Sequence, residues 1–185
     1  MTATESLTLP ELLGDRVRLR GFSPADIPMV LDAATDPLIP VLTTVPSTQD
    51  PALAAAFIER QHDRARSGMG YSFAVADTAD VAVGQIGLWL RDIDVGRVSI
   101  GYWIAPAARR RGFAADALRT LADWGERLPR VRRLELYVEP WNEGSWRTAE
   151  QAGFEREGLL RSWEAVGARR RDMFIYSRIA QHDPV

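Results

Sequence analysis

The chain has 185 residues and a mass of 20.6 kDa, which fits a single domain spanning residues 1–185. Hydrophobic residues make up 46% and charged residues 26% of the sequence, and these values exclude an intrinsically disordered chain. The absence of cysteine excludes disulfides, thiolate metal sites and cysteine nucleophiles, and the presence of only two histidines, His62 and His182, argues against a metal centre. All 23 basic residues are arginine, which excludes Schiff-base and P-loop lysines.

The charge balance and the N-terminus indicate which partners and which cellular compartment to expect. The net charge is −2 and the pI is about 5.8, so no domain-wide positive field favours a nucleic-acid partner. The first residues lack the basic and apolar segments of a signal peptide, and no apolar run approaches the roughly 20 residues of a membrane helix. We therefore expect a cytoplasmic protein without a membrane partner.

The first half of the chain alternates between strand and helix patterns. Residues 16–20 alternate apolar and polar side chains, which predicts a first strand. Ser23 and Pro24 are typical of a helix start, so we expect a helix from there to about Ala34. The following segments predict an irregular stretch at 40–51, a helix that opens at Pro51 and ends by 67–70, and strands at 71–76, 81–90 and 97–104.

The second half predicts two helices and three strands. Apolar residues recur at three- and four-residue spacings from Gly112 to Leu128, which indicates a helix with one buried face. The remaining patterns predict strands at 134–138, 154–163 and 172–179, a short helix at 142–152 and an arginine-rich hairpin loop at 167–171. This order predicts an α/β (α+β) fold with a single mixed, mostly antiparallel central sheet of about seven strands and helices on both faces.

The segment that follows the strand at 97–104 carries the strongest sign of a ligand site. Arg109, Arg110 and Arg111 form a short loop, and a helix begins at Gly112. Unpaired N–H groups at a helix start attract an anion, a glycine lets the anion approach closely, and arginines add charge-assisted contacts. The expected ligand is a phosphate or pyrophosphate. Without this context the same residues indicate an exposed basic loop ahead of an amphipathic helix.

This loop resembles the signature of a known family. Residues 109–114, which end in Gly112, Phe113 and Ala114, fit the Q/R-x-x-G-x-G/A signature of the GCN5-related N-acetyltransferases, the GNAT superfamily, in which the loop holds the pyrophosphate of acetyl-CoA. Further segments are similar to the Rim-type branch, the ribosomal-protein N-acetyltransferases and their relatives. These segments are 101–104, 142–145, 153–154 and 158–161. The resemblance extends over nearly the whole chain and implies a GNAT-like fold.

The resemblance also implies a V-shaped cofactor cleft between the strand that ends at Ile104 and the strand at 134–138. Acetyl-CoA is then the co-substrate, and no metal is expected. The pantetheine arm would bind backbone groups of Trp103, Ile104 and Ala105. Asn142 would hold the arm from the other side through its amide, whereas the alternative role for Asn142 is to cap the helix that follows it. The two roles are compatible.

The resemblance implies that Ser145 is a catalytic residue. It lies three residues beyond Asn142 on nearly the same helical face, and in the Rim-type pattern such a serine sits near the departing CoA thiolate. Its hydroxyl would donate a hydrogen bond or relay a proton to that sulfur; the alternative is a solvent-facing or helix-bonded serine. Other family members carry a tyrosine as general acid where this chain has Ala149, which leaves Ser145 or water.

The sequence leaves open which group deprotonates the acceptor amine. Many Rim-type chains carry a glutamate where this chain has Ser99, and a serine has no useful basicity at neutral pH. Ser99 is therefore a catalytic candidate by position, with deprotonation through a water chain that ends at a backbone carbonyl or a carboxylate. Asp92, Asp94 and Glu135 are the carboxylate candidates, and each also fits an ordinary exposed acid.

Taken together, these residues and the resemblance imply an enzyme, an acyltransferase that moves an acetyl group from acetyl-CoA to a primary amine by direct attack in a ternary complex. The acceptor would be a protein N-terminus or a small molecule, and a homodimer is the commonest closed assembly. Trp141 is the tryptophan expected to line the acceptor pocket. Two alternatives stay open: Ser99 and Ala149 fit a non-catalytic acyl-CoA-binding or regulatory module, and the two arginine clusters fit an RNA-associated protein.

Overall fold

One eight-stranded sheet organises the structure, a computed structural model in which residues 6–181 are described. The strands are β1 (Leu12–Leu13), β2 (Arg18–Arg20), β3 (Gly70–Ala76), β4 (Ala82–Trp89), β5 (Arg97–Ile104), β6 (Arg133–Val138), β7 (Glu155–Val166) and β8 (Arg169–Ile179). The helices are α1 (Ile27–Ala33), α2 (Ile39–Leu42), α3 (Pro51–Arg66), α4 (Phe113–Gly125) and α5 (Glu143–Gln151), with one-turn 3₁₀ helices at Pro24–Asp26, Ile93–Val95 and Pro106–Ala108.

The strand order explains where the sheet can open. The order across the sheet is β1-β2-β3-β4-β5-β6-β8-β7. Within residues 6–181, neighbouring strands run antiparallel everywhere except between β5 and β6, which run parallel. The predicted mixed, mostly antiparallel sheet is therefore confirmed, and the one parallel pair among the described strands lies near its centre.

Helices cover both faces of the sheet, as predicted. On one face, Phe57 of α3 and Val30 of α1 are fully buried in a cluster that includes Trp103 of β5. On the other face, Leu118 and Leu121 of α4 are fully buried in the second cluster. Full burial of each leucine stabilises the fold by roughly 1.5–3 kcal/mol, so the periodic apolar face of α4 fixes this helix against the sheet.

A buried carboxylate fixes the first turn of α4. Asp116 is 2% exposed, and its oxygens accept hydrogen bonds from the backbone N–H groups of Arg16 at 2.7 Å and Val17 at 3.1 Å. Gly14 has no room for a side chain, because a Cβ there would lie 2.7 Å from Asp116 Oδ2. The start of α4 is therefore tied to the N-terminal segment, which holds the helix end in place.

Three details differ from the sequence predictions. Within residues 6–181 the sheet has eight strands rather than about seven, because Leu12–Leu13 pairs with β2 over two residues, too few to show a periodic pattern. The stretch expected to be irregular begins with the helical turn α2. Arg169–Arg171 lies in β8 rather than in a loop, because Gly167 adopts a φ of +58° that lets the chain reverse directly after Val166.

Candidate active site

A cleft opens where β5 and β6 separate. The two strands pair over three residue pairs, the last of which joins Ser99 and Glu135. Beyond this point β5 stays paired with β4, and β6 stays paired with β8. The predicted V-shaped cleft is therefore present, with its closed end at Ser99 and its open end at Ile104 and Val138.

Two cavities meet in this cleft. The loop cavity, about 560 Å³, is lined by the arginine loop (residues 109–112), the start of α4 and one side of α5. The tryptophan cavity, about 430 Å³, is lined by Trp89, Trp103 and Trp141. Among the described residues, seven line both cavities and form what we call the junction: Leu42, Thr43, Tyr102, Trp103, Trp141, Asn142 and Ser145. Molecules bound in the two cavities can meet there.

The arginine loop and the first turn of α4 present free backbone N–H groups. Arg110 has a φ of +61°, and Gly112, the N-cap of α4, has a φ of +80°. No group in the described part of the chain accepts a hydrogen bond from the N–H groups of residues 110–115, which include Phe113 and Ala114 in the cavity wall. Successive free N–H groups and the positive end of the helix dipole together form an anion-binding concavity.

The three loop arginines occupy different environments. Arg109 pairs with Asp36 at 2.8 Å, and its Nε donates to the carbonyl oxygen of Ile104 at 3.1 Å. Burial would raise the pKa of Asp36, but two backbone N–H donors and the Arg109 guanidinium hold it below its ordinary value. Arg110 and Arg111 are exposed and form no ion pair with a described carboxylate, so they are the two loop arginines available to an anion.

The edge of β5 directs alternate backbone groups into the cleft. The N–H of Ala105 donates to the carbonyl of Val83 at 2.9 Å, which directs the backbone of Ala105 toward β4. Antiparallel pairing alternates along a strand. The backbone N–H and C=O groups of Trp103 therefore point toward β4 as well, whereas those of Tyr102 and Ile104 point toward the cleft. Strand pairing already uses the N–H group of Ala105, so Ile104 is the one of the three predicted residues whose N–H faces the cleft, and the contacts of Trp103, Ile104 and Ala105 to a cofactor arm stay a prediction.

Tyr102 and Ser145 meet across the junction. The Tyr102 hydroxyl oxygen lies 3.0 Å from Ser145 Oγ and 3.1 Å from the Ser145 carbonyl oxygen. Burial raises the pKa of Tyr102, so this hydroxyl keeps its proton above the ordinary tyrosine range. Two linked hydroxyls can pass a proton to a molecule in the loop cavity. The sequence assigns Tyr102 no role, because a strand tyrosine ordinarily packs in the core.

Asn142 caps α5. Its Oδ1 accepts a hydrogen bond from the N–H of Ser145 at 3.1 Å, which confirms the capping role. Its amide nitrogen has no partner in the described part of the chain, and the residue lines both cavities. The amide N–H groups thus remain free for the second role, the contact to a cofactor, which stays a prediction.

Trp89 forms a flat wall of the tryptophan cavity. Gly87 and Gly101 pair directly across β4 and β5. A Cβ would lie 2.9 Å from the Trp89 ring at Gly87 and 3.6 Å from it at Gly101, so the indole lies across this glycine pair. Ser99 pairs with Trp89 and lines the same cavity. Ser99 lies three residues before Tyr102, roughly 10 Å along the strand. Ser99 and Ser145 both line the tryptophan cavity, and no hydrogen bond joins them in the described part of the chain.

Among the described residues that line the tryptophan cavity, three are charged: Arg64, Glu139 and Glu164. Glu139 is 7% exposed, accepts a hydrogen bond from Nε1 of Trp141, and lies 3.9 Å from the Arg171 guanidinium. No sequence motif points to Glu139. The signal that locates it is its position directly after β6, where the strand reaches the open end of the cleft.

The three carboxylates that the sequence names lie farther from the junction. Glu135 is held by Nε of Arg133 at 2.6 Å and by the hydroxyl of Tyr137 at 2.7 Å. Glu135 and Asp92 line an outer groove of about 920 Å³ that adjoins the tryptophan cavity. Asp94 is exposed and pairs with an arginine. None of these three carboxylates lines the tryptophan cavity.

The structure of residues 6–181 also bears on the predictions about metal ions, membranes and histidines. No three acidic or histidine side chains are grouped to hold a metal ion, and no helix combines the length and apolar composition of a membrane span. His62 bonds the carbonyl of Phe22 at 3.0 Å through Nε2. His182 lies outside the described residues.

A comparison with protein families identifies the class of protein. The acetyltransferase (GNAT) domain matches residues 16–155, a span that contains the arginine loop, both walls of the cleft and the junction. The chain therefore belongs to the GNAT acetyltransferase family. The expected family, its fold and the expectation of an acyltransferase that uses acetyl-CoA are confirmed at this level.

Individual relatives agree with this assignment. An uncharacterised N-acetyltransferase of Bacillus licheniformis, p20, is 28% identical over 90% of this chain and 94% of its own length. The structure of a GNAT-family acetyltransferase from Bacillus anthracis has a TM-score of 0.77 and 18% identity, covering 92% of this chain and 99% of that chain. RimJ of Mycobacterium smegmatis, in complex with CoA-disulfide, has a TM-score of 0.78 and 21% identity over 92% of this chain and 88% of that chain. Rim-type proteins thus share this fold.

Proposed function

We propose that this chain transfers an acetyl group from acetyl-CoA to a primary amine by direct attack in a ternary complex. The observation that carries the proposal is the junction, where the Tyr102–Ser145 hydroxyl pair lines both an anion-binding cavity and a separate aromatic cavity. Two substrates held in adjoining cavities react as if at a very high local concentration, which is a large part of what such an enzyme needs to supply.

The loop cavity supports the binding of acetyl-CoA. Its pyrophosphate would accept hydrogen bonds from the free N–H groups of residues 110–115, with Arg110 and Arg111 at its side. The pantetheine arm would follow the edge of β5 and bind the backbone of Ile104, while the free amide N–H groups of Asn142 approach it from α5. RimJ of Mycobacterium smegmatis, which has the same fold, is in complex with CoA-disulfide.

The junction supports the chemistry of the leaving group. The amine nitrogen attacks the thioester carbon, a C–N bond forms, and the C–S bond breaks to release the CoA thiolate. The Ser145 hydroxyl, hydrogen-bonded to Tyr102, would donate a proton to that sulfur, and the proton that the amine nitrogen loses as the amide forms would return through water to the Tyr102–Ser145 pair. A free N–H group of β5 that faces the cleft would polarise the carbonyl oxygen as charge develops on it.

Glu139 is our candidate for the group that accepts a proton from the acceptor ammonium before the neutral amine attacks. It is the nearly buried carboxylate on the wall of the tryptophan cavity, and its backbone carbonyl accepts the N–H of Asn142 at 2.9 Å, which places it beside the junction. Its side chain would take the proton directly or through a water molecule. Ser99 would then contact the acceptor rather than act as a base.

Several finer expectations stay predictions. These are the identity of the acceptor as a protein N-terminus or a small molecule, a cytoplasmic location, a homodimer and the absence of a nucleic-acid partner. We also propose that residues 1–185 act as one domain, and the sheet that joins all eight described strands supports this.

The proposed function is tested by two measurements on the same protein. Calorimetry measures acetyl-CoA binding, and a thiol reagent follows amine-dependent release of CoA; because the chain has no cysteine, the reagent reports CoA alone. We expect micromolar binding and release of CoA that depends on both an amine and the protein. The absence of binding would contradict the proposal, and binding without release across a broad amine panel would favour a non-catalytic acyl-CoA-binding module.

A further inference from the structure

Arg64 is a half-buried cation with no anionic partner among residues 6–181. Its guanidinium carbon lies 4.2 Å from the centroid of the Trp89 ring, and its side chain reaches Thr44 Oγ1 at 3.4 Å. In the described part of the chain, no carboxylate forms an ion pair with it. Burial, and then the charge of Arg60 one helical turn earlier, lower the pKa of Arg64. An anion in contact with Arg64 would stabilise the charged guanidinium against both burial and the charge of Arg60.

The position of Arg64 is fixed by the sheet below it. The Trp89 indole lies across the Gly87–Gly101 pair, and Arg64 stacks on that indole. Stacking holds the guanidinium plane while its edge N–H groups stay free to donate. Gly101 directly precedes Tyr102, so this arginine platform adjoins the junction at which acetyl transfer would occur.

The tryptophan cavity carries charges of both signs. Arg64 approaches from α3, whereas Glu139 and Glu164 approach from the ends of β6 and β7. An ammonium group is complementary to the carboxylates, and a second, anionic group is complementary to Arg64. The volume of about 430 Å³ suits a small molecule rather than a folded partner.

We infer that the acceptor is a small-molecule amine that also carries an anionic group, a carboxylate or a phosphate, and that Arg64 binds this group while the amine faces Glu139. The inference rests on the proposed function and adds a substrate class and a specificity-determining residue to it. Arginine suits this role because its planar N–H groups match the oxygens of a carboxylate or phosphate in pairs.

The test uses matched amines that differ by the anionic group alone. L-Phenylalanine is compared with phenethylamine, and O-phosphoethanolamine with ethanolamine, by kcat/KM for CoA release. In the wild type we expect the anion-bearing member of at least one pair to be preferred by roughly 10- to 100-fold, the range of a charge-assisted hydrogen-bonded pair. The pair that shows the preference distinguishes a carboxylate from a phosphate.

Substitutions at Arg64 assign the preference to this residue. Arg64→Gln should reduce the preference to near unity through a lower kcat/KM for the anion-bearing amine, and the Kd for acetyl-CoA should be unchanged. Arg64→Lys, which keeps the charge but not the planar stack, should retain part of the preference for the anion-bearing amine. Arg60→Gln, one turn earlier on α3, is the matched control and should keep the full preference, and melting temperatures confirm that each variant is folded.

The outcomes separate this inference from the proposed function. If neither pair shows a preference in the wild type, or if Arg64→Gln retains it, the inference is overturned. Turnover of phenethylamine or ethanolamine with normal acetyl-CoA binding would in that case leave the proposed function intact. Failure to bind acetyl-CoA would contradict the proposed function itself, and the inference with it.

Discussion

The two cavities of the cleft are built in different ways. The loop cavity presents backbone N–H groups from one continuous segment, residues 110–115, and its geometry depends on the positive φ of Gly112. The tryptophan cavity presents side chains from α3, β4, β5, β6 and β7, which are far apart in sequence. A ligand bound by backbone groups tolerates changes in the surrounding side chains, whereas a ligand bound by side chains changes with them. The loop cavity thus suits a constant donor and the tryptophan cavity a particular acceptor.

The largest expected effect comes from a substitution that disrupts the loop cavity alone. Gly112→Glu places a Cβ at a φ of +80° and a negative charge where the pyrophosphate would bind. We expect the Kd for acetyl-CoA to rise by about 100-fold or more, because like charges repel at short range. Gly153→Glu is the matched control: its φ is +82°, and no atom lies within 4 Å of its Cβ position.

Calorimetry compares these two variants directly. Each is expected to lose roughly 1–2 kcal/mol of stability from the left-handed backbone conformation, so a thermal melt should show them equally affected. Equal losses of acetyl-CoA affinity in the two variants would show that strain, rather than the anion site, causes the effect.

The second effect concerns the tryptophan cavity. Glu139→Gln keeps the size of the side chain and an oxygen that can accept from Trp141, but it removes the proposed proton acceptor. We expect kcat/KM for the amine to fall by about 100-fold, with the Kd for acetyl-CoA unchanged. The control is Glu143→Gln, an exposed position on α5 that pairs with Arg147. A normal rate for Glu139→Gln would remove Glu139 from the mechanism.

The third effect addresses the junction, where the two cavities join. Tyr102→Phe keeps the ring and removes the hydroxyl that bonds Ser145, and we expect kcat to fall by about 10-fold. Because burial raises the pKa of Tyr102, any loss of wild-type kcat through ionisation of this group should begin at a higher pH than for an ordinary tyrosine. Tyr176→Phe, which removes a hydroxyl that bonds Glu150 away from both cavities, should leave kcat and its pH profile unchanged.

The smallest expected effect concerns a carboxylate, Glu157, near the closed end of the cleft, where β5 and β6 stay paired. Arg133 and Ser177 lower the pKa of Glu157 to about 2. A carboxyl whose pKa is lower in the folded state stabilises the protein above its unfolded pKa, and this contribution is lost as the pH falls toward 2. Since the side chain is 43% exposed, we expect less than about 1 kcal/mol.

Thermal melts of wild type and Glu157→Gln test this linkage. The melting temperature of the wild type should exceed that of Glu157→Gln at pH 7, and the difference should shrink steadily as the pH falls from 5 to 2. A difference that is the same at pH 7 and pH 2.5 would show that the substitution acts through packing rather than through charge.

The sequence predicted the loop cavity better than the tryptophan cavity, for the same structural reason. A glycine at a helix start, three arginines and the periodicity of α4 are local features that can be recognised along the chain. The roles of Arg64, Tyr102 and Glu139 depend on which strands are neighbours and where β5 leaves β6, and these relations appear only in the folded chain. The backbone of Ala105 shows the same limit, because its pairing with Val83 comes from strand register.

The fold shows the same division between local and long-range information. The helices and long strands have periodic patterns, and they lie where the sequence predicts them. The two-residue strand β1 has no pattern of its own and exists because Leu12–Leu13 reaches the edge of β2. The chain reversal at Gly167 occurs before the arginines that composition assigns to a loop, since a left-handed glycine permits a tighter turn.

We propose that donor and acceptor meet at the Tyr102–Ser145 pair, and a structure of the chain with bound acetyl-CoA tests this most directly. We predict the pyrophosphate on the N–H groups of residues 110–115, the arm along the edge of β5, and the thioester sulfur within hydrogen-bond distance of Ser145 Oγ. A pyrophosphate bound elsewhere, or a thioester that does not reach the junction, would contradict the account.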